Sequence, residues 1–327
     1  MMKARLQTGQ LINSLTFATV GSLVALSVTM PKAVAITINR NFIEPGTLVD
    51  AGDSSLGDFS MKEGASDDPL NIAPTFTGGT APGNAVGGGN LIDIFNAAAD
   101  WWEKAIKDDF ELRLNLAWAP LGGGTLGVHN LVAQGGTPNR ETMGFIRFDN
   151  DGSSSWFLDP TPHKNEEYRV FTATSADLGG GDINIGRVYT SPVGDAIGRF
   201  DLLSVAKHEI GHALGLSSAN ISFQAENMDG DIDVQAPRAF PGTEIPTRNG
   251  AHLTPNTSLM YPFFSPGMRK VQSGVDILAN AEISEFNNVN LNPVHKVPEP
   301  TATPLALGLA MGVGAFLTRK HGRLVPK

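Results

Sequence analysis

The amino-acid sequence predicts an α/β domain, because helix-like and strand-like patterns alternate along the central part of the chain. Residues 91–106 carry an apolar stripe at spacings of three and four, which is typical of an amphipathic helix: Ile92, Phe95, Ala99, Trp102 and Ile106. Residues 110–118 alternate polar and apolar side chains, as a half-buried strand does. A second helix is expected between Asp201, a favourable N-cap residue, and Gly215, a common helix terminator. Together these patterns favour one α/β domain over two.

The remaining elements are expected to be short. Three segments between the two helices have the alternation and the β-branched content of strands: residues 144–148, 168–172 and 183–190. Residues 36–38 alternate in the same way near the start of the chain. After residue 216 the many turn residues predict a loop-rich C-terminal part, with a short helix between residues 275 and 286.

The composition narrows the classes of function. The chain has 327 residues, no cysteine and a formal net charge of −9. Without cysteine it forms neither disulfides nor thiolate–metal sites. Its acidic balance argues against nucleic-acid binding, which requires a basic surface. We therefore expect a globular protein whose chemistry rests on histidines and carboxylates.

The first segment of the chain, residues 1–35, has the order of a secretory signal peptide. Two basic residues form a charged start, and Leu15–Met30 is apolar and uncharged. Ala33 and Ala35 supply the small side chains that a cleavage site requires. We expect this segment to direct export and to be removed by signal peptidase. A buried N-terminal helix is the alternative.

The last segment, residues 297–327, has a different three-part order. Pro298-Glu299-Pro300 is followed by the uncharged apolar run Thr301–Leu317 and then by Arg319 and Lys320. This order resembles the PEP-CTERM sorting tail of Gram-negative bacteria. The resemblance implies transient anchoring in the inner membrane by a transmembrane segment and cleavage by an exosortase-type enzyme, which leaves the protein in the periplasm, at the cell surface or outside the cell. A plain C-terminal anchor, the alternative, implies the same export.

The expected second helix contains the motif His208-Glu209-Ile210-Gly211-His212. Histidines four residues apart lie on one helical face, so both imidazoles can bind the same metal ion. Zinc lowers the pKa of a bound water to about 7, and a carboxylate beside the first ligand can take its proton. The motif therefore indicates a hydrolytic zinc site with His208 and His212 as ligands and Glu209 as general base.

The continuation of this motif adds a family resemblance. The run HEIGHALGL, residues 208–216, resembles the metzincin metalloproteases, in which a third zinc-binding histidine follows the glycine by three residues. Ser218 stands at that position here, and serine is a poor zinc ligand. The resemblance implies a zincin domain with a twisted mixed sheet, a long N-terminal helix and an active-site helix. It also implies a substrate peptide along an edge strand upstream of the active-site helix, for which residues 183–190 are the candidate.

The third zinc ligand has two kinds of candidate. His252 precedes the run SLMYP, residues 258–262, which resembles the metzincin Met-turn, and this order is similar to that of the leishmanolysin-like branch. By that resemblance His252 is the third ligand and Met260 packs beneath the histidines. Carboxylates of the intervening loop are the other candidates, since they are also good zinc ligands: Glu226, Asp229, Asp231 and Asp233.

Two further residues or runs have alternative roles. Tyr261 can either stabilise an oxyanion in the transition state or only pack beside Pro262. The acidic run Asp229–Asp233 suggests a structural Ca²⁺ site, although it lacks the glycine and the terminal glutamate of an EF-hand loop. A solvated acidic loop is the simpler interpretation of this run.

These inferences divide the chain into four parts. Between the signal peptide and the sorting tail lie a Gly- and Pro-rich N-terminal extension, residues 36–90, and a metalloprotease domain, residues 91–296. We expect a secreted zinc endopeptidase that acts on protein or peptide substrates. The alternative is a catalytically inactive exported matrix or surface protein on the same scaffold. A calcium-stabilised adhesin is a third and weaker interpretation.

Overall fold

The computed structural model describes residues 35–50, 58–62, 75–248 and 250–293. All of them belong to the compact unit of the chain that begins at Val34. Two expected segments lie outside these residues. They are the signal peptide, apart from Ala35, and the sorting tail, together with the last residues of the linker before it. Within the described residues, no helix is long and apolar enough to cross a membrane.

The helices and strands follow one another as an α/β domain. The helices are α1, Leu91–Ala105; α2, Leu202–Ala213; α3, Ile221–Glu226; and α4, Gly274–Ile283. The strands before α2 are β1, Thr37–Phe42; β2, Leu48–Asp50; β3, Asp58–Lys62; β4, Thr75–Thr77; β5, Glu111–Ala119; β6, Thr125–Gly135; β7, Arg140–Asp149; β8, Trp156–Phe157; β9, Tyr168–Asp177; β10, Asp182–Pro192; and β11, Phe200–Asp201. The strands after α2 are β12, Asp231–Asp233; β13, Glu244–Arg248; β14, His252–Leu253; β15, Phe263–Phe264; and β16, Arg269–Val271.

The main sheet has the strand order β1-β5-β7-β6-β3-β15. β1, β5 and β7 run parallel, whereas β6 is antiparallel to both of its neighbours, β7 and β3. β15 is parallel to β3. The sheet is therefore mixed and carries the twist that strand sterics impose. The predicted fold class, an α/β domain with a mixed sheet, a long N-terminal helix and a second helix in the site, is confirmed.

α1 is fixed at its start by a cap and along its length by contacts with the core. The side chain of Asn90 accepts a hydrogen bond from the backbone N–H of Asp93 at 2.9 Å. Trp102 is fully buried, and its indole N–H donates to the backbone carbonyl of Lys207 in α2 at 2.9 Å. This bond ties the predicted first helix directly to the helix that carries the histidine motif.

One residue of the predicted apolar stripe of α1 does not face the core. Ile92 is 46% exposed, whereas Leu91 and Ile94 are buried. Successive helical residues are separated by about 100°, so the pair Leu91 and Ile94 defines the buried side of the first turn and points Ile92 to solvent. The helix is as predicted, but its buried face is rotated by one residue at the start.

β5 follows the predicted alternation, and the residues that face α1 and α2 are buried: Leu112, Leu114, Leu116 and Trp118. Burying a leucine side chain stabilises the fold by about 1.5–3 kcal/mol. This apolar row is therefore a principal reason why the two helices lie on one face of the main sheet.

The chain after α2 has more regular structure than the predicted loops. β12, β13 and β14 form a small antiparallel sheet, and α3 precedes it. β12 contains a single apolar residue, Ile232, so its sequence shows no periodicity. The expected short helix is present as α4. Four of its apolar residues (Val275, Leu278, Ala279 and Ile283) and those of the small sheet belong to a second core cluster that includes Met260.

Candidate active site

α2 begins at a buried ion-pair network. Asp201 caps the helix by accepting the backbone N–H of Ser204 at 3.0 Å and its hydroxyl at 2.6 Å. Arg269 donates to both carboxylate oxygens of Asp201 at 3.0 and 2.8 Å and to Asp159 at 2.6 Å. Burial opposes the charged form of Arg269, but Asp201 raises its pKa above the ordinary value, so the guanidinium stays charged. This network fixes where the motif-bearing helix starts.

The two histidines of the motif, His208 and His212, direct their Nε2 atoms toward each other. Nδ1 of His208 lies 2.8 Å from the carbonyl oxygen of Leu259, and Nδ1 of His212 lies 2.5 Å from that of Leu216. A carbonyl oxygen only accepts, so each Nδ1 carries the proton and each Nε2 has a lone pair. The two Nε2 atoms are 3.0 Å apart. Burial, and then the neighbouring histidines, hold the pKa of His208 well below its usual range.

His252, on β14, lies beside these two residues. Its ring centroid is 5.2 Å from that of His208 and 4.8 Å from that of His212. In each of the three buried side chains, one nitrogen that could bind a metal lies within 4.8 Å of the other two. The backbone N–H of Leu253 donates to the carbonyl of Met260 at 2.9 Å, which links β14 to the turn below. The structure thus brings together the three histidines that the sequence offers as ligands.

This set of donors fits a zinc ion. Three neutral imidazoles leave the fourth, tetrahedral position that a catalytic zinc needs. Two Zn–N bonds of about 2.0 Å at a tetrahedral angle separate their nitrogens by about 3.3 Å, close to the 3.0 Å between the Nε2 atoms of His208 and His212. Two lone pairs at that distance repel each other, and a cation between them removes the repulsion.

Glu209 is fully buried, and its carboxylate lies against the backbone of β6. A Cβ atom placed on Gly127 would be 2.7 Å from Oε1 of Glu209 and 3.0 Å from its Cγ. Any side chain at position 127 would therefore displace the carboxylate. Because Gly127 has no side chain, β6 can pass this close to α2. The contact between Gly127 and Glu209 marks where β6 borders the histidine cluster.

The turn before β15 is held by a carboxylate that no sequence motif indicates. Asp276, in the first turn of α4, accepts the N–H of Leu259 at 3.1 Å, the N–H of Met260 at 3.0 Å and the hydroxyl of Ser258 at 2.5 Å. It also forms a capping box with Ser273. The three-residue spacing of Ser273 and Asp276 is the signal that could have revealed the helix start, although not its contact with the turn.

Met260 is fully buried beneath α2. A Cβ atom placed on Gly211 would collide with Sδ of Met260, so the thioether fills the space left by the missing side chain. Gly211 lies between the two histidines of the motif along the helix. Met260 therefore supports α2 at the level of the histidine cluster.

Tyr261 lies between two basic side chains. Its hydroxyl accepts a hydrogen bond from the Arg248 guanidinium at 3.1 Å, and that guanidinium lies 4.9 Å from the ring centroid. Nζ of Lys270 also lies 4.9 Å from the centroid, and burial lowers the pKa of Lys270 to about 7. These contacts account for Tyr261 as a packing residue, and its role as an oxyanion stabiliser stays a prediction.

A buried histidine–carboxylate pair on β6 and β7 borders the histidine cluster. The sequence patterns do not predict it. Nε2 of His129 lies 2.9 Å from Oε1 of Glu141, and both residues are buried. The ring of His129 stacks on that of His212, with centroids 6.2 Å apart. The pairing of β6 with β7 creates this contact, so a single sequence offers no local signal for it.

The acidic candidates lie together but apart from the histidines. Carboxylate oxygens of Asp229, Asp231 and Asp233 are within 4.8 Å of one another, on an exposed to half-exposed segment. Glu226 accepts the backbone N–H of Asp233 at 3.0 Å. Exposed acidic clusters are common without an ion, so these contacts do not support the calcium site.

The candidate substrate strand, residues 183–190, is not an edge strand. These residues lie in β10, which is the central strand of the order β16-β10-β9 and pairs with both neighbours. Alternation predicts the strand correctly, but it says nothing about how many neighbours the strand has. The strand that passes beside Glu209 is β6.

Comparison with known proteins gives a match to a protein family. No curated protein and no solved structure matches the chain. Residues 119–229 match the sequence model of the matrixin family of peptidases. The matched stretch includes β6, β7 and α2 with His208, Glu209 and His212, and it ends before His252. This part of the chain is therefore similar to the matrixins, a family of zinc-dependent metalloproteases.

Proposed function

We propose that the chain is a zinc-dependent endopeptidase that hydrolyses peptide bonds in protein substrates. The observation that carries the proposal is the cluster of three buried histidines, each offering a nitrogen within 4.8 Å of the other two, beside the buried Glu209. The similarity of residues 119–229 to the matrixins supports it independently.

In this proposal His208, His212 and His252 hold the ion. Zinc, when bound, lowers the pKa of a coordinated water and polarises the carbonyl of the scissile bond. Glu209 accepts the proton of the attacking water and then delivers it to the leaving nitrogen. The contact with Gly127 limits the positions of the Glu209 carboxylate, and burial keeps bulk water from exchanging that proton.

The first experiment separates metal binding from catalysis. The purified chain, its Glu209→Gln variant and a His163→Ala control, which changes an exposed histidine, are assayed for bound zinc and for cleavage of an unfolded protein. We expect one zinc in all three proteins and a loss of at least about 100-fold in kcat for Glu209→Gln. Equal kcat in the wild type and Glu209→Gln would contradict the assigned base.

The second experiment tests the third ligand. We expect His252→Ala to lose zinc affinity, whereas Asp231→Ala and Glu226→Ala retain it, because the acidic cluster lies apart from the histidines. Zinc affinity is measured by competition with a chromophoric chelator. Full affinity in His252→Ala together with a loss in either carboxylate variant would transfer the ligand role to the acidic loop.

We also propose that the enzyme acts outside the cytoplasm. The support is the signal-peptide order of residues 1–35 and the three-part order of residues 297–327. In a Gram-negative host we expect signal peptidase to expose Ile36 as the new N-terminus and an exosortase-type enzyme to cut within the tail. N-terminal sequencing and intact-mass measurement of the exported protein test both cleavages.

A further inference from the structure

β9 is the edge strand of the sheet β16-β10-β9, on the far side of β10 from β16. Its ten residues, Tyr168–Asp177, pair with β10 on one side, and no strand of the described residues pairs with the other side. Val170 is 45% exposed and Phe171 is 51% exposed. Consecutive side chains of a strand point to opposite faces, so both faces of β9 are open to solvent.

The free edge of β9 presents the backbone groups of its odd-numbered residues. The carbonyl oxygen of Thr174 accepts a hydrogen bond from the Asn184 side chain of β10 at 2.9 Å, so Thr174 directs its backbone groups toward β10. Alternate residues of an antiparallel strand direct their N–H and C=O groups to opposite sides. The groups that point away from β10 therefore belong to Arg169, Phe171, Ala173, Ser175 and Asp177.

This edge lacks the features that keep exposed strands from pairing. Such edges are commonly protected by proline, by lysine or by a bulge in the edge strand. The run RVFTATSAD, residues 169–177, contains neither proline nor lysine, and the bulge of this ladder adds its extra residue to β10. Arg169 and Asp177, the two charged residues of the run, stand at its ends. The middle of the edge is thus open to a further strand.

The two charges fit a second copy of the same strand. If two β9 strands pair antiparallel around a two-fold axis at Ala173, Arg169 of each copy faces Asp177 of the other. Thr172 of each copy then faces Thr174 of the other. Opposite charges and paired threonines are favourable across a ladder. The strand is therefore complementary to itself in this register.

Other registers lose this complementarity. Moving the axis by one residue in either direction separates Arg169 from Asp177, and the shift to Thr172 also places Asp177 opposite Glu167. A parallel pair in register would place each Arg169 beside another Arg169. Like charges that face each other destabilise a ladder. Charge therefore selects the antiparallel register centred on Ala173.

We propose that the protein forms a symmetric dimer in which the β9 strands of two copies pair antiparallel around Ala173. The five outward-facing residues give about ten backbone hydrogen bonds across the axis. The two sheets become one six-stranded sheet, and the contact uses the free β9 edge of both copies, so association stops at two. A contact of one strand pair is small, and we expect a reversible dimer with a Kd of about 1–100 μM.

The first test removes one outward N–H group from the purified chain. Ala173→Pro leaves the ladder with β10 intact, because the N–H of residue 173 faces away from β10, and proline is accepted at such edge positions. The matched control, Ala173→Ser, keeps the N–H. We expect the dimer Kd, measured by sedimentation equilibrium, to rise about tenfold or more in the proline variant. Equal Kd values in the two variants would overturn the proposal.

The second test identifies the register. The chain has no cysteine, so Ala173→Cys gives each copy a single thiol. Opposed residues of a hydrogen-bonded pair have Cα atoms about 5.5 Å apart, within the range of a disulfide. In the control, Ser175→Cys, the two thiols of a dimer lie about 14 Å apart along the strands. We expect mild oxidation to link the first variant into a covalent dimer and to leave the second monomeric on a non-reducing gel. Equal cross-linking in both would contradict the register.

The third test reverses one charge. Arg169→Glu places a glutamate opposite Asp177 at both ends of the pair, and we expect the Kd to rise about fivefold or more at low salt. Adding Asp177→Asn should recover part of the affinity, because the asparagine oxygen can still accept from the N–H groups of Gly179 and Gly181. A Kd of Arg169→Glu equal to that of the wild type would refute the ion pairs that select the register.

The same variants distinguish a second copy from a different occupant of the edge. Neither the dimer nor its tests depend on zinc or on Glu209, so they stand apart from the proposed endopeptidase activity. A wild-type chain that sediments as a monomer up to about 300 μM, well above the expected Kd, would overturn the dimer. If Ala173→Pro then lowered kcat/KM for a protein substrate, the edge would be a docking strand for that substrate instead.

Discussion

The close approach of β6 to Glu209 makes position 127 the most restrictive point of the proposed site. A methyl group there would sit 2.7 Å from Oε1 of Glu209, so we expect Gly127→Ala to displace the carboxylate. A misplacement of about 1 Å in a catalytic group can cost about 100-fold in rate, and we expect a loss of kcat of that order. Zinc content should stay unchanged, because the three histidines are not touched.

The matched control for this change is on the same strand. A Cβ atom on Gly135 meets nothing within 4 Å, so Gly135→Ala should keep the kcat of the parent. Both variants are compared by kcat and by bound zinc. Equal rates in the two alanine variants would mean that the Glu209 carboxylate does not need the space that Gly127 leaves.

At the residue scale, local patterns were predictable and long-range partners were not. His208, Glu209 and His212 follow from the spacing within one helix, because a helix converts sequence distance into position directly. His252 could be proposed only through a resemblance of order along the chain, and the structure places it beside the other two. His129 and Asp276 reach the site through strand pairing and helix packing, respectively. A single sequence does not indicate which distant residues such pairing or packing brings together.

At the scale of elements, Asp276 connects α4 to the turn that faces α2. It is buried and accepts hydrogen bonds from three backbone N–H groups and two hydroxyls. In Asp276→Asn the side-chain NH2 group would face some of these N–H and O–H donors, so those hydrogen bonds would be lost. We expect the free energy of unfolding to fall by about 2–4 kcal/mol, measured by urea denaturation of the zinc-loaded protein.

The same substitution should also weaken zinc binding, because the turn presents the Leu259 carbonyl that orients His208. Loss of such a supporting partner typically reduces metal affinity by about 10- to 100-fold. Asp229→Asn, which changes an exposed carboxylate, is the control and should alter neither quantity. An Asp276→Asn protein with the stability and zinc affinity of this control would refute the assigned role.

The buried Lys270 gives the segment after the turn a pH dependence. Burial lowers the pKa of Lys270 to about 7 in the folded protein, from an ordinary value of 10.5. Between these values the unfolded chain binds a proton that the folded chain does not, so stability rises with pH. The contribution is at most about 1.4 kcal/mol per pH unit.

We therefore expect the difference in unfolding free energy between the wild type and Lys270→Met to grow in favour of the wild type from pH 7 to pH 10. Below pH 7 the difference should be flat, since the lysine is charged in both states. Urea denaturation across this pH range measures it, with Lys164→Met, at an exposed lysine, as the reference. A difference that does not change with pH would contradict the lowered pKa.

Long or strongly patterned elements were predictable from the sequence, and short ones were not. β5 and α2 combine a clear period with a cap or a terminator, and their bounds agree with the prediction to within one or two residues. β12 and β14 have three and two residues, too few to show a period. β10 was predicted as a strand, but its central place between β9 and β16 depends on partners distant in the chain.

At the scale of the whole molecule, the histidine cluster joins two halves of the domain. His208 and His212 lie on α2, which packs against the main-sheet core, whereas His252 lies in the small C-terminal sheet. A ligand that binds only the folded state at 1,000 times its Kd stabilises that state by about 4 kcal/mol. We expect chelation of zinc to lower the unfolding free energy by an amount of this order.

Calorimetry of the zinc-loaded and the chelated wild type measures this change. The control is the doubly substituted His208→Ala, His212→Ala protein, whose Tm should not respond to chelator or to added zinc. A wild-type Tm that is equally insensitive to chelator would show that no ion links the two halves.

The position of His252 has a consequence for the resistance of the folded protein to degradation. An ion shared between α2 and β14 closes a loop of about forty residues, as a disulfide does in many secreted proteins. This chain has no cysteine with which to form one. A zinc cross-link is reversible and depends on the zinc concentration. Any molecule that removes zinc would therefore lower both the protein's resistance to degradation and the proposed activity.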